Sequence, residues 1–121
     1  MSQRCSSSEQ IWTPSVRGDV YQIHLAGKKN VQQGHRFAIV VQCSRLSLSM
    51  TVIVPTSTAA RPGLHRPEID WDGTTTYALA EQVTAVPTDN LGRMVGHLLR
   101  SDMDRIDEAL RMVLALGPAH T

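Results

Sequence analysis

Charge of either sign nearly cancels in this sequence. Twelve Lys and Arg against eleven Asp and Glu leave a formal net charge of +1. That argues against a protein built on bulk phosphate attraction, while leaving room for a local basic cluster. Cysteine is scarce. Cys5 lies in the serine-rich leader "MSQRCSSSEQ" and Cys43 ends an apolar run, and that spacing makes neither a disulfide framework nor a metal knuckle. Two such thiols fit a reducing compartment. No apolar run approaches the roughly 20 residues that cross a membrane, and the leader lacks the apolar centre of a signal peptide. A cytoplasmic location is the expectation. The histidines at 24, 35, 65, 97 and 120 show no HExxH or other metal spacing. A GxSxG elbow and a Gly-rich phosphate loop are also missing. No metal and no cofactor is implied.

What is present suits one domain of 121 residues, large enough to bury a core without staples. Residues 1–15 are polar and aperiodic, which predicts a flexible N-terminal arm. "RGDVYQIHL" alternates with period two, as a half-buried strand does. "AGKKNVQQGH" is a ten-residue loop, a length that tends to be functional. "RFAIVVQC" reads as a central strand and "MTVIVP" as a second one closed by Pro55. "TSTAARPGLHRP" is loop. "EIDW" predicts a short strand before the "DGTTT" turn, "YALAEQVTAV" another strand stopped by Pro87, "TDNLG" one helical turn and "RMVGHLL" a short strand. Ser101 reads as the N-cap of a helix, with Asp104 three positions on. Met103, Ile106, Leu110 and Val113, with Ala109 and Leu114, form its apolar stripe, and Gly117-Pro118 ends it. Five or six short strands followed by one helix predict a mainly β fold with α: a small, curved antiparallel sheet or barrel covered by the helix.

Three stretches have chemistry to offer. In "QQGHRFAIVVQ", Arg36 stands at the mouth of an apolar strand. There it either grips a phosphate or carboxylate in a bidentate fork or pairs with Asp19, Glu68 or Glu81. In "PTSTAA", Thr56, Ser57 and Thr58 place consecutive hydroxyls at a strand end, as phosphate ligands or as ordinary turn formers. In "ALAEQVTAV", Glu81 and Gln82 point to opposite faces of a strand, as a base or sugar contact or as an exposed edge pair.

Taken in order, "RGDVYQIHL", "QGHRFAIVVQ", "TVIVPTST", "ALAEQVTAVPTDNLGRMVGHL" and "DRIDEALRMVLAL" resemble the MazF/PemK family of toxins. These are metal-independent mRNA endonucleases of toxin–antitoxin systems. The resemblance covers roughly residues 16–117. It implies a toxin domain over 16–118 with a 119–121 tail, an SH3-like barrel of the MazF/CcdB type with a C-terminal helix, and a homodimer whose interface carries single-stranded RNA. It also implies a cognate antitoxin as partner. Residue by residue, it carries the catalytic arginine onto Arg36 and the catalytic threonine onto Ser57, with Thr58 one register away. The RNA-binding set becomes Gln33, His35, Thr56, Glu81 and Gln82. Phe37 stands where the family usually has proline, and "NVQQGH" lacks the usual acidic residue, so His35 is the nearby group suited to accept a proton. A CcdB-like gyrase inhibitor is the alternative, but no Trp or Phe lies near the helix end. A member that keeps only antitoxin binding is the third reading. Base readout depends on the loops around 26–35 and 59–68.

Overall fold

The computed structural model describes residues 16–23 and 36–117. The arm of 1–15, the loop of 24–35 and the tail fall outside the described residues. Seven strands form one antiparallel sheet, where the sequence suggested five or six. In chain order they are β1 (Asp19–Ile23), β2 (Arg36–Val40), β3 (Met50–Ser57), β4 (Glu68–Trp71), β5 (Thr74–Ala78), β6 (Thr84–Pro87) and β7 (Leu91–His97). Helix α1 (Arg100–Leu114) follows. The sheet runs β4-β5-β3-β2-β1-β7, with β6 also on β3. It curls until its two end strands meet through a side chain. A methyl group at Gly96 of β7 would collide with Cη2 of Trp71 on β4. The bare backbone at 96 is therefore what lets the indole close the barrel.

Strand β2 is central, as its β-branched run predicted, and it is buried on both faces. Ile39 packs with Val20, Val54, Ile69 and Leu98 inside the curl, where Met103, Ile106, Ala109 and Leu110 of α1 cover them. Ala38 and Val40 face the other way, against Ile23 and Ile53. The period-two alternation thus fixes the register, because a one-residue slip would exchange the two clusters.

Several boundaries differ from the sequence reading, and of the expected turns Thr74–Thr76 belong to β5 and Leu91 and Gly92 to β7. Pro55 does not close β3. It sits inside the strand, where β3 changes partner from β6 (through Ile53) to β5 (from Thr56), so its missing N–H interrupts no pairing on that side. "YALAEQVTAV" is not one strand. A 3₁₀ turn over Ala80–Gln82 splits it, closed by Gln82 N–H to the Leu79 carbonyl at 2.9 Å. Because β5 and β6 pair with different halves of β3, the turn shifts the chain from one half to the other. It also buries Leu79 and Ala80. Ser101 is not an N-cap. Leu99 holds that position with an extended backbone and no side-chain cap, placing Ser101 and Asp102 in the first turn. Asp102 takes Arg105 at 2.6 Å. At the other end, Ala115 adopts the left-handed conformation and stops the helix two residues before Gly117, leaving Leu114 of the expected stripe exposed. The short turn near "TDNLG" is a 3₁₀ turn, Thr88–Asn90.

Arg17 fastens the helix to the sheet. Its Nε–H donates to the Val41 carbonyl at 2.8 Å and its Nη2 reaches Asp107 at 2.5 Å. No described helix is long and apolar enough to cross a membrane.

Candidate active site

The site is built where β2 begins and β3 ends. Register pairs Ala38 with Pro55, Ile39 with Val54 and Val40 with Ile53. Continued two residues past the last pair, the same register sets Phe37 against Thr56 and Arg36 against Ser57. A side-chain bond holds that extension together: the Thr56 hydroxyl donates to the Phe37 carbonyl at 3.3 Å. Cross-strand partners of an antiparallel pair stand about 5 Å apart with side chains on one face. Arg36 and Ser57 therefore leave the sheet side by side on one face, although 21 positions separate them in sequence.

Arg36, Ser57 and Thr58 line one open cleft of about 190 Å³. Thr56 and Phe37 form its floor and also border the small gap beneath it, inside the barrel. The far wall is the β4–β5 hairpin, which contributes Trp71, Asp72, Thr74 and Thr76.

That hairpin is fixed by its two-residue turn. Trp71 pairs with Thr74, and between them Asp72 (φ 54°) and Gly73 (φ 79°) both take positive φ. An Asp-Gly pair suits such a turn because glycine has no Cβ penalty and aspartate tolerates the left-handed region. In β4, Ile69 points into the core and Glu68 and Asp70 point out, so Trp71 falls on the inner face beside the cleft.

The electrostatic setting separates the arginines. Among the described residues Arg36 has no ion pair with a carboxylate and no side-chain hydrogen bond. The carboxylates it was expected to meet are otherwise placed. Asp19 bonds His97 Nδ1 at 2.8 Å and accepts from the Val16 N–H at 3.0 Å. Glu68 is exposed on the outer face of β4. Glu81 accepts two bonds on Oε2, from Arg66 Nε at 2.9 Å and Arg66 Nη2 at 2.6 Å. Burial pushes the Glu81 carboxyl up, but the Arg66 hydrogen bonds, a backbone bond and the positive field of Arg66 and His65 together hold it below its usual range. The Glu81 hydrogen bond, in turn, raises the Arg66 guanidinium above its ordinary value.

The residues singled out from sequence therefore sort into three groups. Arg36, Ser57, Thr58 and Thr56 meet in the cleft. Gln33 and His35 lie outside the described residues. Glu81 and Gln82 do not line the cleft. They belong to the 3₁₀ turn and not to a strand, Glu81 bound to Arg66 and Gln82 exposed. The sequence reading did not attach the hairpin wall to the site. "EIDW" followed by "DG" was the available signal, since alternation from Ile69 puts Trp71 inward. Among the described residues no three His, Cys, Asp or Glu side chains gather as a metal site.

The Ser57 hydroxyl accepts the Ala59 N–H at 3.2 Å. This leaves its proton free to donate into the cleft. A guanidinium beside a donating hydroxyl is an arrangement that binds a tetrahedral oxyanion.

Comparison with known proteins agrees with this architecture. A family model for the PemK-like, MazF-like toxins of type II toxin–antitoxin systems matches residues 16–114. The Mycobacterium tuberculosis protein Rv3098A, a candidate toxin by its description, is 33% identical over 104 residues, spanning 84% of this chain and 98% of that protein. Among solved structures, an endoribonuclease in complex with its cognate antitoxin, from a mycobacterial species, superposes with a TM-score of 0.72 at 23% identity. It covers 87% of this chain and 99% of its own. A chain of the MazE–MazF structure from Deinococcus radiodurans gives 0.73 at 12% identity, covering 87% of this chain and 99% of its own. These structural likenesses establish the fold. The family match, spanning both strands of the cleft, the hairpin wall and the helix, establishes membership: the chain belongs to the PemK-like, MazF-like toxins of type II toxin–antitoxin systems.

Proposed function

We propose that the cleft cuts single-stranded RNA at a short specific sequence, without a metal, and that a cognate antitoxin restrains it. The supporting observation is Arg36, which shares an open cleft with the Ser57 and Thr58 hydroxyls and makes no ion pair among the described residues, Asp72 standing on the opposite wall. A guanidinium that opens onto a cleft with no described ion pair keeps its forked donors for an arriving anion. A backbone phosphate supplies one.

The reaction needs little more. The ribose 2′-hydroxyl attacks the adjacent phosphorus in line. Its proton leaves to a base, the P–O5′ bond breaks, and the departing oxygen takes up a proton. The products are a 2′,3′-cyclic phosphate and a 5′-hydroxyl. Arg36 neutralises the charge that grows on the equatorial oxygens. Ser57, or Thr58 beside it, donates to one of those oxygens and fixes the phosphate for in-line attack. His35, adjacent to Arg36 in sequence, is the imidazole available to accept the 2′ proton. DNA has no 2′-hydroxyl and is not a substrate.

The mycobacterial endoribonuclease of similar fold is found with its antitoxin, which supports the same kind of partner here. The antitoxin would be a short chain that folds on binding, with an acidic and hydrophobic tail lying over the cleft. A homodimer working in the cytoplasm completes the proposal. The gyrase-directed alternative gains nothing from helix α1, whose end around Leu114 and Leu116 has no Trp or Phe.

The test is incubation of purified protein with a long RNA in EDTA. Discrete cuts that vanish in Arg36→Ala and slow strongly in Ser57→Ala are expected. An unchanged Ser57→Ala rate moves the role to Thr58 or Thr56. Intact RNA with poisoned gyrase establishes the alternative, and intact RNA with antitoxin binding alone establishes a non-catalytic member.

A further inference from the structure

The hairpin wall of the cleft has no part in the chemistry just described, yet it carries the strongest recognition features at the site. Trp71 is half-buried and lines both the cleft and the interior gap beneath it. Its ring is locked from behind. The space a side chain at position 96 would need is filled by the indole, with Cζ2 and Cζ3 at 3.0 and 3.3 Å from where a Cβ would stand. An aromatic held in this way offers a stacking surface with little entropy left to lose.

The next residue, Asp72, also lines the cleft and makes no ion pair or side-chain hydrogen bond among the described residues. Its backbone conformation is set by the two-residue turn, which fixes the direction in which the side chain leaves the chain. No other carboxylate borders the cleft among the described residues. The 24–35 segment that leads into Arg36 contains neither Asp nor Glu.

We propose that Trp71 and Asp72 form a guanine-selective subsite beside the scissile phosphate, the indole stacking on the base and the carboxylate reading its Watson–Crick edge. The chemistry of the four bases decides among them. Guanine presents two adjacent donors, N1–H and the 2-amino group, which match the two oxygens of a carboxylate. Cytosine and adenine offer one amino group beside a ring-nitrogen acceptor that repels the carboxylate. Uracil offers one N–H between two carbonyls. An unpaired strand exposes this edge, whereas a duplex hides it. The placement beside the phosphate rests on the RNA-cutting proposal; the base preference is testable without any cutting.

The experiment uses 2′-O-methyl hexanucleotides, which bind but cannot be cleaved. A uridine host strand carries a single guanine, inosine, adenine or cytosine at each position in turn. Binding is followed by the fluorescence anisotropy of a dye on the 5′ end of the strand, and quenching of Trp71 in a Trp12→Phe background, where it is the only indole left, reports stacking. Guanine at one fixed position is expected to bind about 10- to 100-fold tighter than the other bases, the range for a good bidentate contact. Inosine, which lacks the 2-amino group, should lose most of that gain. Asp72→Asn should reduce the guanine–inosine ratio to about 2-fold or less, and Trp71→Leu should weaken all four bases together. Equal binding of all four bases, no binding, or a guanine preference that survives Asp72→Asn would overturn the proposal. Cleavage of ordinary RNA by the same preparation, scored separately, keeps the two ideas apart. Cutting without guanine preference removes this subsite and leaves the nuclease. Guanine preference without cutting does the reverse.

Discussion

Arg36 and Arg66 carry the same guanidinium into opposite surroundings. Arg66 sends two hydrogen bonds into one oxygen of Glu81 and thereby ties the loop after β3 to the 3₁₀ turn at Ala80–Gln82. Arg36 opens onto a cleft with hydroxyls opposite and no described carboxylate in contact. A paired guanidinium has its charge already satisfied and acts on the fold. An unpaired one keeps its full field for a ligand. The difference teaches that the charge of an arginine says little about its role until its partners are counted.

The largest effect should come from breaking the unpaired side of this comparison. Arg36→Ala is expected to lower the RNA cleavage rate by about 10²- to 10³-fold, while the urea midpoint stays close to that of the parent, because Arg36 makes no side-chain bond among the described residues. Cleavage rate and urea unfolding measured on the same preparation check this. A large loss of stability would mean that Arg36 belongs with Arg66 as a structural residue.

The next largest effect lies in the wall facing Arg36. Gly96→Ala places a methyl group where the indole of Trp71 now sits. Overpacking of this kind costs about 1–3 kcal/mol, and the cheapest relief is for the far end of Trp71 to move. The expected outcome is a lower urea midpoint together with a changed tryptophan emission. Unchanged emission and stability would show that the ring does not close the barrel against β7.

Which parts of this arrangement the sequence disclosed depends on the distance over which each is determined. The strands at Asp19–Ile23 and Arg36–Val40 were readable because alternation and β-branching are local signals. The apolar stripe of α1 was readable for the same reason, from Met103 to Leu110. The meeting of Arg36 with Ser57 needs strand register, which spacing does not encode. Only the family resemblance suggested it. Glu81 looked like part of a strand because its neighbours alternate. Its actual state is set by Arg66, 15 positions earlier, and by the need to carry the chain between two halves of β3. The role of Trp71 was hidden more deeply, since its place depends on a glycine in a strand at the opposite end of the sheet.

The smallest effect sharpens the paired side and depends on pH. The folded Glu81 carboxyl lies below its ordinary value because the bonds from Arg66 and the surrounding positive field outweigh burial, which acts in the opposite sense. A carboxyl depressed on folding adds stability that is fully present above its unfolded value of about 4.3. That stability is lost as pH falls through the folded value, because the unfolded chain then binds the proton first. The urea midpoint of the parent should therefore be flat in this respect from pH 7 to 5 and decline below about pH 4. In Glu81→Gln the charge-assisted bonds are gone at every pH. The variant should unfold about 0.3 M earlier in urea at neutral pH, a modest shift for a partly exposed pair. The gap between the two proteins should then close on acidification. RNA cleavage by the variant should stay near the parent's rate while it is folded, since Glu81 does not line the cleft. A gap that persists unchanged at pH 3 would show that the Arg66 pair contributes through packing and not through charge. A variant that folds but no longer cuts would place the 3₁₀ turn within the RNA path, on the same side of the comparison as Arg36.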